Sequence, residues 1–411
     1  MKKKVMDQLL THGVKAGASD LHFLVGDRPA YRIDGSLRSV KYGPLTAADT
    51  RQICENLLGA DGGDALLKEL QEHDCSYSIR GVARFRVNMY RQRGSLCCIL
   101  RVIPTTIPSL EELGVPPCVR KLAEEERGLV LVTGATGSGK SSTLAAMISH
   151  INQTRSAHIL TIEDPIEFLH TNERSSISQR EVGPDTRTFT TALRAALRQD
   201  PDVILVGEMR DPETIDIALK AAETGHMVFS TVHTTDAAKT IGRLVSVFPG
   251  EEQQAVRLRL ADNLKGVISQ RLLPRANGKG RTVAAEIMVA TKTVQEHIKD
   301  PVATGQLKDV IERGRDEYQM QSFDQHLTEL YRARTISLDV AKAAASNPSD
   351  FERALNFSDV SAMSEPAIAP SEDLSGLELD GGSEKPDDDS GEELLLTESP
   401  DDGATNLELD R

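Results

Sequence analysis

The chain has 411 residues, enough for two folded domains with appended segments. Its net charge of −14 comes from the end of the chain: residues from Asp359 onward include 17 acidic and 2 basic residues, and the body before them has 45 acidic and 46 basic ones. A neutral body without an aromatic-rich basic surface disfavours nucleic acid as a partner. The five cysteines form no C-x-x-C pair, and no apolar run could span a membrane. The composition therefore predicts a cytosolic protein and favours reduced thiols over a disulfide framework or a zinc site.

The first 105 residues predict a small α+β domain. Helical spacing of apolar residues occurs at 3–17, 46–58 and 64–71. Strand-like runs occur at 20–25, 30–33, 75–80, 83–90 and 96–103. A linker rich in proline is expected over 106–127.

From residue 128 the pattern changes to apolar runs that alternate with helical stretches. The runs lie at 129–133, 158–162, 203–206 and 227–232. Such runs are typical of a parallel sheet covered by helices on both faces, with its working residues at the carboxyl ends of the strands. The sequence thus predicts an α/β domain over 128–357, with residues 251–273 as one amphipathic helix and further helices near 294–299, 305–313 and 322–332.

The remaining residues, 358–411, are rich in Ser, Gly, Asp and Glu. Such a composition buries too little apolar area to offset chain entropy, so a disordered acidic tail is expected. The sequence LELD occurs at 377–380 and again at 407–410. The repeat predicts either a pair of short docking motifs or a solubilising tail with a chance repetition.

The clearest chemical motif is GATGSGKS at 134–141, which lies between an apolar strand and a helical segment. It matches the phosphate-binding loop G-x-x-x-x-G-K-[ST] in its required context, so a nucleoside-triphosphate site is predicted. Lys140 is expected to reach the β- and γ-phosphates and Ser141 to bind Mg²⁺. The predicted nucleotide-binding residues are Gly134, Ala135, Thr136, Gly137, Ser138, Gly139, Lys140, Ser141 and Ser142.

Carboxylates follow the second and third apolar runs. A nucleotide hydrolase needs one carboxylate to organise Mg²⁺, directly or through water, and another to orient or deprotonate the attacking water. Glu208 and Glu163 are placed for these two tasks. A helix cap is the alternative for Glu208, and a turn residue before Pro165 is the preferred interpretation of Asp164.

Two histidines and a group of arginines complete the candidate residues. His226 and His233 bracket the fourth run, seven residues apart on an extended strand, which is too far to chelate one metal. Either could sense the γ-phosphate or simply be a packed, hydrogen-bonded side chain. The N-terminal domain carries a cluster of arginines that could complete a neighbouring subunit's site or form an exposed charged face: Arg84, Arg86, Arg91, Arg93 and Arg101.

Four segments, GATGSGKS, TIEDPIE, RAALRQDPDVILVGEMRDPET and AAETGHMVFSTVHTTDAAKTI, occur in the order and spacing of the secretion ATPase superfamily. To about residue 356 the chain resembles the type IV pilus retraction ATPases of the PilT and PilU type. The resemblance implies a PAS-like N-terminal domain, a RecA-like ATPase domain and a hexameric ring that hydrolyses ATP with Mg²⁺. It also implies that Glu163 is the general base, Glu208 the Walker B glutamate, and His226 and His233 the His box. Arginines of the N-terminal domain would complete the nucleotide site between subunits, and the candidates are Arg84, Arg86 and Arg101.

Two departures from the family patterns bear on the function. Extension and secretion members carry a four-cysteine zinc motif after the Walker B region, and this chain has no cysteine beyond Cys118. Retraction, and with it twitching motility, is therefore favoured. The AIRNLIRE-like segment of PilT proteins is absent, and the stretch that follows resembles PilU, which implies an accessory motor as an alternative. A ring subunit that does not hydrolyse ATP is a further alternative.

The resemblance also implies where the protein works and with what. It places the hexamer in the cytoplasm at the inner-membrane base of the pilus machinery. The implied partners are an inner-membrane platform protein and a paralogous retraction ATPase.

Overall fold

The computed structural model describes residues 1–33, 35–59, 64–104 and 106–363, with the side chains of 64–66 and 356–363 left undescribed. The predicted acidic tail falls outside these residues from position 364 onward, and so do both LELD segments. No described helix combines the length and the apolar character that crossing a bilayer requires.

The N-terminal part is built on a six-stranded antiparallel sheet, one strand more than the five runs of the sequence. Its strands are β1 (Asp20–Phe23), β2 (Ala30–Ile33), β3 (Ser36–Ser39), β4 (Glu72–Ile79), β5 (Ala83–Gln92) and β6 (Ser95–Ile103). They lie in the order β3-β2-β1-β6-β5-β4. The helices are α1 (Lys3–Lys15), α2 (Ala47–Leu58) and α3 (Asp64–Glu69). Along β5 every second side chain is buried in a core shared with α1 and α2, so the other face of the sheet is left for polar residues.

The second part is a seven-stranded sheet with helices on both faces. Its strands are β7 (Gly128–Thr133), β8 (His158–Glu163), β9 (Ser176–Glu181), β10 (Val203–Val206), β11 (Met227–Val232), β12 (Leu264–Pro274) and β13 (Arg281–Val289). The order is β13-β12-β7-β11-β10-β8-β9, and only β13 is antiparallel to its neighbour. The four predicted apolar runs are four of these strands.

Both faces of this sheet are buried, which explains the continuous apolar runs. In β7, Leu129 and Leu131 pack on one side and Val130 and Val132 on the other. The helices on the Leu129 side are α7 (Phe189–Ala196), α8 (Pro212–Glu223), α9 (Ala237–Ser246), α10 (Gln253–Asn263), α11 (Lys292–Lys299) and α12 (Leu307–Arg313). Those on the Val130 side are α4 (Leu110–Leu113), α5 (Cys118–Ala123) and α6 (Lys140–Thr154).

The single helix predicted over 251–273 is wrong. The helix α10 ends at Asn263, and the chain continues directly as β12, which pairs with β7 on one side and β13 on the other. A Cβ added at Gly266 would lie 2.8 Å from the Leu122 side chain and 2.9 Å from the carbonyl oxygen of Met288. Burial on both faces and this close approach select a strand over the helix that apolar spacing suggested.

The last described part of the chain, after β13, is helical. After a 3-10 turn (Ala303–Gln306) and α12 come α13 (Arg315–Tyr318), α14 (Phe323–Arg332), α15 (Leu338–Ala344) and α16 (Pro348–Met363). The helices expected at 294–299, 305–313 and 322–332 are present. The last helix crosses the predicted boundary after residue 357 and continues to Met363. It is anchored by Phe351 and Leu355, which pack in a small core with Leu327.

Candidate nucleotide site

A cavity of 430 Å³ opens at the carboxyl ends of the parallel strands. Its walls contain most of the residues that the motifs predict: Thr136, Gly137, Gly139, Lys140, Ser141, Ser142, Glu163, Glu208 and His233. These residues come from the ends of β7, β8, β10 and β11 and from α6. Because parallel strands end at one edge of the sheet, segments up to 100 residues apart in the chain meet there.

The phosphate loop has the backbone that its glycines allow. Gly134, Gly137 and Gly139 have φ angles of 143°, 78° and 92°, a region that other residues rarely occupy. A Cβ at Gly134 would also lie 2.5 Å from the carbonyl oxygen of Gln270. Gly139 precedes the first turn of α6, and no described side chain caps that helix. The free N–H groups of α6 therefore suit an anionic ligand.

Lys140 is held inside this loop. Its Nζ donates hydrogen bonds to the carbonyl oxygens of Gly134 and Ala135, each at 3.0 Å. Burial lowers the pKa of the Lys140 ammonium, and the carboxylates of Glu167 and Glu208 oppose that shift. The side chain is thus fixed in the loop, close to two carboxylates.

The loop also fits a phosphate chain with Mg²⁺. Within the described residues, the Oγ of Ser138 is buried and has no hydrogen-bond partner. Ser141, the second residue of α6, lines the cavity together with Glu208. A hydroxyl and a carboxylate are oxygen ligands of the kind that Mg²⁺ prefers, and Ser138 can donate to a phosphate oxygen.

Glu163 is the last residue of β8 and is held by three donors. Its Oε1 accepts hydrogen bonds from Thr161 Oγ1 at 2.6 Å and from Gln179 Nε2 at 3.2 Å, and its Oε2 accepts one from the backbone N–H of Glu167 at 3.4 Å. Burial raises the pKa of the Glu163 carboxyl more than these hydrogen bonds lower it. The result is a fixed carboxylate of increased basicity facing the cavity.

Glu208 lies beside His233 and Arg210. Its Oε1 forms an ion pair with Arg210, 2.7 Å from the Nε, and its Oε2 is 3.6 Å from His233 Nε2. The pKa of His233 is lowered by burial and by the charge of Lys140, although Glu208 opposes this. Glu208 does not cap α8, because Asp211 accepts the capping hydrogen bond from Thr214 N. The carboxylate thus has two basic neighbours at the mouth of the phosphate loop.

The structure does not bring His226 to this cavity. His226 precedes β11 and so lies at the opposite edge of the sheet from His233, which follows the same strand. Its Nδ1 is 2.9 Å from the carbonyl oxygen of Ala221 and 3.1 Å from Thr224 Oγ1. These contacts are those of a packed, hydrogen-bonded histidine, and a role for His226 in the nucleotide site stays a prediction.

The three candidate arginines share one face of the N-terminal sheet but do not line the cavity of their own chain. Arg84 and Arg86 are alternate residues of β5, and Arg101 of β6 lies opposite Arg86. Arg101 donates to Asp20 Oδ1 at 2.8 Å. Arg84 reaches the other domain, where it pairs with Glu181 at 2.9 Å. Any action on a nucleotide would have to occur across subunits.

Several cavity residues were missed by sequence reasoning. Phe168, His170 and Phe189 extend the wall beyond Glu163, and Leu272 and Arg281 close the far side. Burial lowers the pKa of His170 to about 4, so its imidazole is neutral at pH 7. Leu272 was assigned to a helix by its spacing, and Arg281 belongs to an unpredicted strand. Only the pairing of β12 with β13 brings these two residues to the site.

Comparison with known proteins places this site in a family. Residues 1–361 match the family of type II/IV secretion system proteins. The chain belongs to that family. Among curated relatives, it is 46% identical to PilT, the type IV pilus retraction ATPase of Pseudomonas aeruginosa, over 84% of this chain and 99% of PilT. It is 39% identical to PilU, a type IV pilus ATPase of the same organism, over 84% of this chain and 89% of PilU.

A solved structure supports the same placement within the secretion proteins. The pilus retraction motor PilT with bound ADP superposes with a TM-score of 0.77 at 45% identity, covering 84% of this chain and 98% of the other. The chain is thus a member of the PilT/PilU retraction ATPases, with their mixed α/β fold. The identity is higher to PilT than to PilU along matches of similar length.

Proposed function

We propose that this protein is a Mg²⁺-dependent ATP hydrolase that powers type IV pilus retraction, and hence twitching motility, as a hexameric ring. The observation that carries the proposal is one cavity lined by the phosphate loop, Glu163 and Glu208 in a chain 46% identical to a retraction ATPase. The implied partners are an inner-membrane platform protein and a paralogous retraction ATPase. The implied location is the cytoplasmic base of the pilus machinery.

In this proposal each group of cavity residues has a separate role in hydrolysis. Backbone N–H groups of 134–139 and the start of α6 bind the β- and γ-phosphates, and Lys140 exchanges its two carbonyl partners for phosphate oxygens. Glu163 accepts a proton from the attacking water, for which its raised pKa is suited. Ser141 and Glu208 would hold Mg²⁺, directly or through water, and the ion would supply positive charge to offset the charge that develops on the phosphate. Arg84, Arg86 and Arg101 are candidates to act on a neighbouring subunit's nucleotide.

The first test is steady-state ATP hydrolysis by the purified protein, beside its Lys140→Ala and Glu163→Gln variants. The mass in solution is measured with and without nucleotide. Hydrolysis by a hexamer that is abolished in both variants supports the proposal. A wild-type protein that neither binds nor hydrolyses ATP would refute it.

The biological role needs a second test in cells. A deletion strain is expected to assemble pili normally but to fail in retraction and surface motility. Loss of pilus assembly would instead indicate an extension motor. Full retraction in the deletion strain, lost only when a PilT-type paralogue is weakened, would indicate an accessory motor.

A further inference from the structure

The strand β9 lies at the edge of the ATPase sheet, outside every sequence motif discussed above. It pairs in parallel with β8, and its Gln179 lies opposite Thr161, two residues before Glu163. Paired residues of a parallel ladder place their side chains on the same face of the sheet. Gln179 is therefore placed beside the side chains of Thr161 and Glu163.

The Gln179 amide directs two donated hydrogen bonds and one accepted hydrogen bond to the segment that carries Glu163. Its Nε2 donates to Glu163 Oε1 at 3.2 Å and to the carbonyl oxygen of Phe168 at 2.9 Å. Its Oε1 accepts from the backbone N–H of His170 at 2.9 Å. Because a backbone N–H can only be a donor and a carbonyl only an acceptor, the two backbone bonds fix which end of the amide is oxygen.

We propose that Gln179 is a positioning residue for hydrolysis, which holds the Glu163 carboxylate and ties the 163–170 segment against the cavity. The inference rests on the proposed role of Glu163 as the base. One side chain bridges the catalytic carboxylate and two backbone groups five and seven residues further along the chain. The segment and the carboxylate thus move together.

The proposal has a measurable consequence for the pH dependence of activity. A hydrogen bond donated to a carboxylate favours its ionised form, so loss of the Gln179 donor raises the pKa of Glu163 further. The acid limb of the pH profile of kcat/KM, which reports the base of the free enzyme, then moves to higher pH. Replacement of Gln179 by an uncharged residue leaves unchanged the other charged or titratable groups that line the cavity or pair with Glu163 across the strands: Lys140, Asp164, Glu167, His170, Glu181, Glu208, His233 and Arg281.

Two substitutions and one control test the role in the full-length protein. Gln179→Met keeps the length of the side chain and removes both donor and acceptor, whereas Gln179→Glu keeps an acceptor for His170 N and removes the donor. Both are expected to lower kcat about 10-fold, with KM for ATP changed less than about 2-fold, and to move the acid limb upward. Ser178→Ala is the matched control, because Ser178 lies on the same strand and contacts His158 instead.

A double-mutant cycle separates positioning from a general structural role. In a Glu163→Gln background, Gln179→Met is expected to cause no further loss of the residual rate, because its effect acts through that carboxylate. A second 10-fold loss there, or an unshifted pH profile in both Gln179 variants, would overturn the proposal. Hydrolysis at the wild-type rate by Glu163→Gln alone would instead refute the assignment of the base. Mass in solution and ADP binding confirm that each variant is folded.

Discussion

At the scale of single residues, Lys140 is already fixed in position by its own phosphate loop. Its ammonium is buried and bonds two loop carbonyl oxygens, so the loop conformation also depends on this side chain. We expect Lys140→Ala to weaken ATP binding about 10-fold or more and to reduce hydrolysis by at least about 100-fold. Nucleotide binding and phosphate release measure the two effects. Lys220→Ala on the exposed face of α8 is the control, since among the described residues Lys220 forms its ion pair with Asp216 alone.

Glu286 is a buried carboxyl with a consequence for stability. Burial raises its pKa from 4.5 to about 7, although Ala237 N donates a hydrogen bond to it at 2.8 Å. As pH rises, the Glu286 carboxyl ionises in the unfolded chain before it ionises in the folded protein. The contribution of Glu286 to the free energy of unfolding is therefore full below about pH 4.5 and declines up to about pH 7. The decline is about 1.4 kcal/mol per pH unit and about 3 kcal/mol in total.

The Glu286→Gln variant should lack this pH dependence. Thermal unfolding midpoints of the wild type and the variant are compared between pH 5 and pH 8. The variant should gain stability relative to the wild type as pH rises to about 7, with no further change above that. A constant difference across this range would show that Glu286 is ionised throughout.

The sequence points to those cavity residues that are carried by a local motif, and their roles in hydrolysis stay predictions. Lys140, Glu163, Glu208 and His233 meet because each follows a parallel strand, and strand ends are visible in the apolar pattern. Gln179 has no such signal, since its role depends on the register between β8 and β9. Register between strands is set by tertiary packing and is not encoded in local spacing.

At the scale of elements, the segment after Asn263 shows why apolar spacing misled the assignment. Leu264, Val267 and Ile268 satisfy a helical period, but they are also part of a run buried on both faces. A short run of this kind fits a buried strand and a helix equally well. Gly266 and the β-branched residues favour the strand, and pairing with β7 on one side and β13 on the other stabilises it.

The two domains are joined by an ion pair between elements, Arg84 of β5 and Glu181 of β9. Their charged atoms are 2.9 Å apart, and the side chain of Glu181 is only 6% exposed. Removing Arg84 leaves that carboxylate buried without its charge partner, so we expect Arg84→Ala to destabilise the fold by about 3 kcal/mol. A fall of several degrees in the thermal unfolding midpoint would report this.

Arg86→Ala provides the contrast for this pair. Arg86 lies two residues away on the same face of β5 and is exposed. Its loss should leave the unfolding midpoint unchanged, and reduced hydrolysis in that variant would point to action on a neighbouring subunit. Equal midpoints for the Arg84 and Arg86 variants would show that the ion pair adds nothing to stability. Glu181→Gln combined with Arg84→Ala should recover part of the loss, because the buried charge is then removed.

At the scale of the whole molecule, composition alone distinguishes a body of nearly zero net charge from an acidic end. The family match ends at residue 361, and α16 ends at Met363, close to the point where acidic residues begin to dominate. The match of the body to known ATPases extends over 84% of the chain. Residues 364–411 lie outside the family match, so their contribution to activity and solubility is tested separately.

Removal of residues 364–411 tests that contribution. The segment includes 16 acidic and 2 basic residues, so the truncated chain retains 46 of each sign and has no net charge at pH 7. We expect ATP hydrolysis per subunit to stay within about 2-fold of the wild-type rate. Solubility near neutral pH and low salt should fall, because charge repulsion between molecules is lost.

A scrambled segment of the same composition distinguishes charge from sequence. If the segment acts only through its charge, the scrambled protein should recover solubility and should support pilus retraction fully. If the two LELD sequences are docking motifs, solubility should return while retraction or localisation at the pilus base remains impaired. ATP hydrolysis by the same purified proteins is measured as a control. It should be unchanged in both cases, since docking to a partner leaves the nucleotide site of the purified protein unchanged.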